Sequence, residues 1–232
     1  MALLDFDSLV ICNNDNSAES LRLTIDHFKA LGIKKYIVTL PVDIEADSMY
    51  DIRFKYKSLK ALLDTIKPRG CAFKVVYNTY IAPGVAYNPI LSKLSFANTN
   101  RLFIQTPLFL NDSWFSPQIN HFLYKRKLLP VFTCFERTLV SSDKEFSSKL
   151  YKIQKGAYCI DINYMTSFEG ITRVKEMMRA GATILPSIST HCNKYVSATY
   201  RFERMSDRMG KILYLKYCKY INDCCKNIFD LF

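Results

Sequence analysis

A chain of 232 residues that is 49% apolar and carries a net charge of +11 suits one large α/β domain with a full core. Its uncharged apolar runs are too short to cross a bilayer. The surplus of cations favours anionic partners such as nucleic acid, phosphorylated protein or an acidic membrane surface, against the alternative of a solvated basic surface with no specific partner.

The opening Met-Ala-Leu-Leu-Asp-Phe-Asp places two acids in its first apolar run, which argues against a signal peptide. Leu3 to Cys12 is predicted as the first strand, followed by a polar loop and a helix capped by Ser17 that ends at Gly32. Lys35 to Leu40 forms the second strand, stopped by Pro41. A helix from Arg53 to Lys67 presents Leu59, Leu62, Leu63 and Ile66 on one face. The third strand is Cys71 to Tyr80, and a loop rich in Pro and Asn covers residues 81 to 100. Leu102 to Gln105 is the fourth strand, Trp114 to Arg126 a helix, and Leu129 to Cys134 the fifth strand. A helix over Asp143 to Gln154 and a strand over Ala157 to Ile162 follow. The last units are a helix over Phe168 to Arg179 and a strand over Thr183 to Ile188. The strand leads into a polar tip with Ser187, Ser189, Thr190 and His191, and residues from about 199 to 232 read as a helical tail.

Seven strands alternating with helices, with no composition break, imply one domain over residues 1–232 with a parallel sheet, closed as a barrel or open. The eight cysteines include no Cys-x-x-Cys, so a zinc ribbon or redox motif is not indicated. Buried, reduced thiols in a cytoplasmic protein are the expectation.

The order and wording of these elements resemble the polymerase-and-histidinol-phosphatase family of metal-dependent phosphoesterases. The nearest branch is the manganese-dependent tyrosine phosphatases of bacterial capsule loci. Asp5-Phe6-Asp7-Ser8-Leu9 resembles the family's opening Asp-Ile-His-x-His, with Asp7 and Leu9 in place of the histidines. The segment Gly32 to Val42 resembles its second motif, with Val42 for a ligand histidine, and Asn78 stands for a bridging glutamate. Thr133-Cys134-Phe135-Glu136-Arg137 resembles Ala-His-Pro-Glu-Arg, with Cys134 for the histidine. Ser187 to Cys192 resembles the last motif, with Ser189 for its aspartate and His191 kept. The resemblance implies a distorted seven-stranded β/α barrel, TIM-like, with its site at the C-terminal strand ends.

A multi-metal phosphoesterase needs carboxylates and imidazoles to hold its ions and acidify a bound water. Leu9 and Val42 cannot ligate, Asn78 has no charge to bridge cations, and Ser189 is a poor ligand. The vestigial site is therefore Asp7, Asn78, Cys134, Arg137, Ser189 and His191. No cofactor is expected; the alternative is one zinc or manganese at low occupancy on Asp7, Cys134 and His191. Arg137 could receive an anion or sit in an internal ion pair with Glu136. His27 and His121 lie on predicted helices and are read as structural. Arg201, Arg204, Arg208 and Lys211 form a basic stripe on the tail, read either as a solvated face or as a docking surface. The functional expectation is an inactive homologue that binds an acidic or phosphorylated protein, in the setting of polysaccharide assembly. The alternatives are a tyrosine phosphatase with a reduced metal site, and an RNA-binding barrel similar to the ribonuclease P protein subunit.

Overall fold

The computed structural model describes residues 8–13, 17–96, 99–107, 112–141, 150–151, 156–165, 167–190 and 219. Seven strands follow in order: β1 (Ser8–Cys12), β2 (Lys35–Val42), β3 (Ala72–Tyr80), β4 (Arg101–Gln105), β5 (Leu129–Thr133), β6 (Ala157–Asp161) and β7 (Thr183–Ser189). All pair in parallel, and β7 closes on β1 through Val10 with Ser187, Ile11 with Ile188 and Cys12 with Ser189. The result is a closed TIM-like barrel. Pairing along the ring is uneven. β2 and β3 are in register from Lys35 with Ala72 to Val42 with Thr79. β5 and β6 are in register through Val131 with Ala157 and Phe132 with Tyr158.

The connecting helices follow from local signals. Helix α1 (Ala18–Ala30) starts where the Ser17 hydroxyl accepts the Ser20 N–H at 3.3 Å. It buries Leu21, Thr24, Ile25 and Phe28 at helical spacing. Helix α2 (Met49–Ile66) begins before the predicted Arg53, because Ser48 and Asp51 make a capping box. Asp51 replaces the more usual Glu or Gln of that motif, which hides the signal. Helix α3 (Leu91–Leu94) and a single tight turn at Val85–Tyr87 occupy the predicted loop over 81–100 and bury Val85, Ala86, Leu91 and Leu94. Helix α4 (Asp112–Asn120) carries Pro117 and widens into a π turn at His121–Lys125. Helix α5 (Phe135–Ser141), unmarked in the sequence pattern, follows β5 directly, and α6 (Ile162–Met165) follows β6. Helix α7 (Phe168–Arg179) has the predicted bounds.

Several strand ends differ from expectation by one or two residues, and two of them bear on the site. β2 passes through Pro41 to Val42, since a proline near a strand end removes at most one ladder bond. β5 stops at Thr133, and Cys134 turns out of the strand with φ 54°. The helix predicted over 143–154 lies mostly outside the described residues, where Leu150 and Tyr151 are helical and buried. The predicted tail also lies outside them except Lys219, which is helical and exposed.

Each strand alternates between a helix-facing and an axis-facing row. Tyr36 marks the outer row, since its hydroxyl donates to the Ile33 carbonyl at 2.8 Å and to that of Ile25, within α1, at 3.3 Å. Phe132 and Tyr158 belong to the same row, stacked at 5.3 Å across β5 and β6 and joined by Phe115 and Phe135. Thr133 and Asn78 mark the inner row, bonded to each other past β4. Phe132 is fully buried in the outer aromatic cluster. Phe132→Ala should cost about 3–5 kcal/mol in denaturant unfolding; a loss below about 1 kcal/mol would mean that the cluster does not bind the helices to the sheet.

Candidate functional site

The C-terminal mouth of the barrel gathers the last inner-row residues of the strands. Cys12 is paired with Ser189 there, and the Asn13 N–H donates to the Thr39 hydroxyl at 3.1 Å. The Thr133 hydroxyl donates to Asn78 Oδ1 at 3.0 Å, and the Thr133 carbonyl accepts the Thr106 hydroxyl at 3.1 Å. Asp161 is clamped on both oxygens. Oδ1 accepts the Asn163 N–H at 2.7 Å and Oδ2 accepts the Ser189 N–H at 3.3 Å. Glu136, in the first turn of α5, accepts the Asp161 N–H at 3.3 Å.

Burial decides the charge of this cluster. Cys12, Cys134 and Cys159 are buried, and none is in a disulfide. A hydrogen bond with Cys134, then burial, raises the Cys12 thiol well above its ordinary value. Burial raises Cys159 likewise. Desolvation, followed by the neighbouring Cys134 and Asp161, pushes the Glu136 carboxyl up to about 8. Asp161 is also raised by burial, with its N–H bonds pulling the other way. Cys12, Cys159, Glu136 and Asp161 are thus all raised above their ordinary values.

The strand alternation relocates two positions read from the sequence. Leu9 lies near the start of β1 and, two residues before Ile11 and one before Val10, shares neither the inner row of Cys12 nor its place at the mouth. Cys12 takes that place. Val42 shares the outer row with Tyr36, while Pro41 is the residue paired with inner-row Asn78. Asn78, Cys134 and Ser189 do reach the mouth. Arg137 is exposed, and its N–H bonds to the Cys134 carbonyl at 3.1 Å. Asp7, His191, Arg201, Arg204, Arg208 and Lys211 lie outside the described residues. His27 packs edge-on against Phe28, and His121 accepts the Arg126 Nε–H at 3.3 Å, both on outer helices.

Sequence reasoning passed over Cys12, Cys159 and Asp161. The signal was present in Ala157-Tyr158-Cys159-Ile160-Asp161, where Cys159 and Asp161 fall on one side of an alternating strand. Among the described residues no three His, Cys, Asp or Glu side chains surround a point that could hold a metal ion. The donors that converge are buried thiols, an amide and carboxyls clamped by backbone N–H groups. These do not fit a manganese centre, which wants charged oxygens and imidazoles.

A cleft of about 480 Å³ opens beyond the ends of β2, β3 and β4. Asn78 and Gln105 line it, with Asp43, Glu45, Asp47, Lys55 and Tyr80 towards its rim. Lys55 bonds both oxygens of Asp47 at 2.6 and 2.7 Å. Asp43 Oδ1 accepts the Glu45 N–H at 3.0 Å, which folds the loop after β2.

Neither a protein-family model nor a curated protein sequence matches the chain. Solved structures do. A metal-dependent tyrosine phosphatase, of the pair YwqE from Bacillus subtilis and CpsB from Streptococcus pneumoniae, superposes with a TM-score of 0.60 at 12% identity. The match covers 90% of this chain and 88% of that one. A zinc-bound amidohydrolase from a Burkholderia species matches with a TM-score of 0.48 at 11% identity, over 89% of this chain and 67% of that one. The first likeness is one of fold, and it matches the barrel described above.

The raised Glu136 carboxyl links stability to pH. A group that binds its proton more tightly when folded contributes fully below its ordinary value of 4.5, and that contribution is lost as pH rises through about 8. Glu136→Gln removes the linkage. Urea unfolding should show the variant gaining on the parent by more than about 1 kcal/mol between about pH 5 and about pH 8. A pH-independent difference would place the carboxyl in water.

Proposed function

We propose that this chain is a metal-free member of the polymerase-and-histidinol-phosphatase family that binds an acidic or phosphorylated protein and does not hydrolyse phosphate esters. The observation that carries the reading is the make-up of the inner row at the mouth. Asn78 is committed to Thr133, Cys12 to Cys134, and both oxygens of Asp161 to backbone N–H groups. Hydrolysis by a metal-bound hydroxide requires ions held by several anionic oxygens and imidazoles, with an open position for water. An amide, a hydroxyl and buried thiols supply none of that charge, and both oxygens of the Asp161 carboxyl already accept backbone N–H groups. The fold likeness to a metal-dependent tyrosine phosphatase supports the ancestry, and the sequence resemblance extends the setting to polysaccharide assembly.

The binding half of the reading rests on charge. Lys and Arg number 32 against 21 Asp and Glu, a difference of +11. Arg137 is exposed beside the mouth, and a planar guanidinium suits a carboxylate or phosphate. Arg201, Arg204, Arg208 and Lys211 add four cations at helical spacing in the sequence. Arrayed cations bind an anionic partner by releasing its counterions, so the affinity falls with salt.

Two measurements test these halves separately. Phosphotyrosine peptide and p-nitrophenyl phosphate should show no turnover with added manganese; turnover abolished by Cys134→Ala or His191→Ala overturns the metal-free reading. An acidic phosphopeptide should bind the parent chain with a steep salt dependence. Reversing Arg201, Arg204, Arg208 and Lys211 to glutamate should weaken that binding by tenfold or more, roughly the 1.4 kcal/mol expected when several charge contacts are lost. An unchanged affinity would make the stripe a solvated face, and tighter binding of single-stranded RNA than of the peptide would favour the RNA-binding alternative.

A further inference from the structure

We infer that the cleft beyond β2, β3 and β4 is a binding site for a monosaccharide without negative charge, either a neutral or an amino sugar. The first support is a donor left over at the floor. Asn78 is 1% exposed and lines the cleft, and its Oδ1 is taken by Thr133. Its Nδ2 has no partner among the described residues. A buried N–H group left unsatisfied is costly, and an acceptor oxygen from a ligand removes that cost.

The rim supplies the complementary groups. Asp43 Oδ1 is spent on the turn after β2, whereas the Glu45 side chain is exposed and makes no side-chain bond among the described residues. Gln105 lines the same space, and its side-chain amide likewise has no bond among them. Tyr80 is 49% exposed and stacks on no other ring among the described residues. These groups ask for a ligand with hydroxyl donors, hydroxyl acceptors and a C–H face to lie on an aromatic ring. A sugar ring carries all three. The volume of about 480 Å³ falls in the usual range for small-molecule sites.

Charge narrows the class. Asp43, Glu45 and Asp47 face the cleft with Lys55 as the cation, and Lys55 is bound to Asp47. The cleft is therefore acidic although the chain as a whole is basic. A sugar phosphate or uronic acid would meet repulsion there, and an ammonium on the ring would meet Glu45. A plain diamine would satisfy the carboxylates but would leave Asn78 Nδ2 without an acceptor. The cleft shares Asn78 with the mouth but is not lined by Glu136 or Asp161.

Saturation-transfer NMR and calorimetric titration of the full chain test this with four probes: D-glucose, D-glucosamine, glucose 6-phosphate and cadaverine. Glucose and glucosamine should bind, and glucose 6-phosphate should bind roughly tenfold more weakly than glucose, the ratio expected for about 1.4 kcal/mol of repulsion. Tyr80→Ala should weaken both sugars by a similar factor, and Glu45→Gln should weaken glucosamine more than glucose. Both residues are exposed, so neither variant threatens the fold. Absence of saturation transfer from either sugar overturns the inference. So does cadaverine binding as tightly as glucosamine, tighter binding of the phosphate, or parent-like affinity in both variants.

Discussion

Closure of β7 onto β1 is the constraint from which the rest of the molecule follows. Once Val10, Ile11 and Cys12 pair with Ser187, Ile188 and Ser189, every strand has two neighbours, and every side chain must point either at the axis or at a helix. The outer row then has to be large and apolar to hold the helices, and Tyr36, Phe132 and Tyr158 serve there, fully buried. Tyr36 also ties α1 to the sheet, its hydroxyl donating to the Ile25 carbonyl within the helix and to the Ile33 carbonyl after it. The inner row near the mouth is filled by the buried side chains of Cys12, Thr39, Asn78, Thr133 and Cys159.

That inner row explains why the mouth is electrically quiet. Burying an ion without a partner is expensive, and a titratable group avoids the cost by keeping its proton. Glu136 does so up to about pH 8. Had the neighbours been imidazoles and carboxylates, the same geometry would have favoured a cation to balance them. Here the neighbours are the Cys134 thiol and the Asp161 carboxyl, whose oxygens accept the Asn163 and Ser189 N–H groups. The backbone strain at Cys134, φ 54°, persists at this place because the strand must end and a helix must begin within one residue. On the other side, Asn78 Nδ2 is buried without a hydrogen-bond partner among the described residues, and Asn78 lines the cleft beyond β2 to β4.

Much of the fold could be read from the chain because strands and helices differ in period. The bounds of α7 and the cap of α1 are as expected, since Ser167 and Ser17 are ordinary capping residues. What escaped was geometry of period two. A one-residue slip along a strand carries a side chain to the opposite face. Leu9 and Val42, matched by wording to ligand positions, lie on the row shared with Tyr36, and a matching of words carries no information on which way a residue faces. Cys12 and Cys159 were passed over because a cysteine in an apolar run looks like any other core residue. The cleft was invisible for a different reason: Asn78, Glu45, Tyr80 and Gln105 come from separate loops and strand ends, so no local spacing announces them.

The uneven ladder has a mechanical meaning. A ring of strands offers no end strand to another chain, so recognition of any partner must pass through side chains and loops, not through an added strand. The ring is as strong as its thinnest seam, and that seam is β5 against β6, held in register by Val131 with Ala157 and Phe132 with Tyr158. The stacked rings of Phe132 and Tyr158 lie across it like a clasp. Partial opening of the barrel would begin there, and it would expose two raw strand edges together with the most aromatic part of the core. The clasp therefore guards the chain against pairing with its own copies, a task distinct from adding to the stability of the closed state.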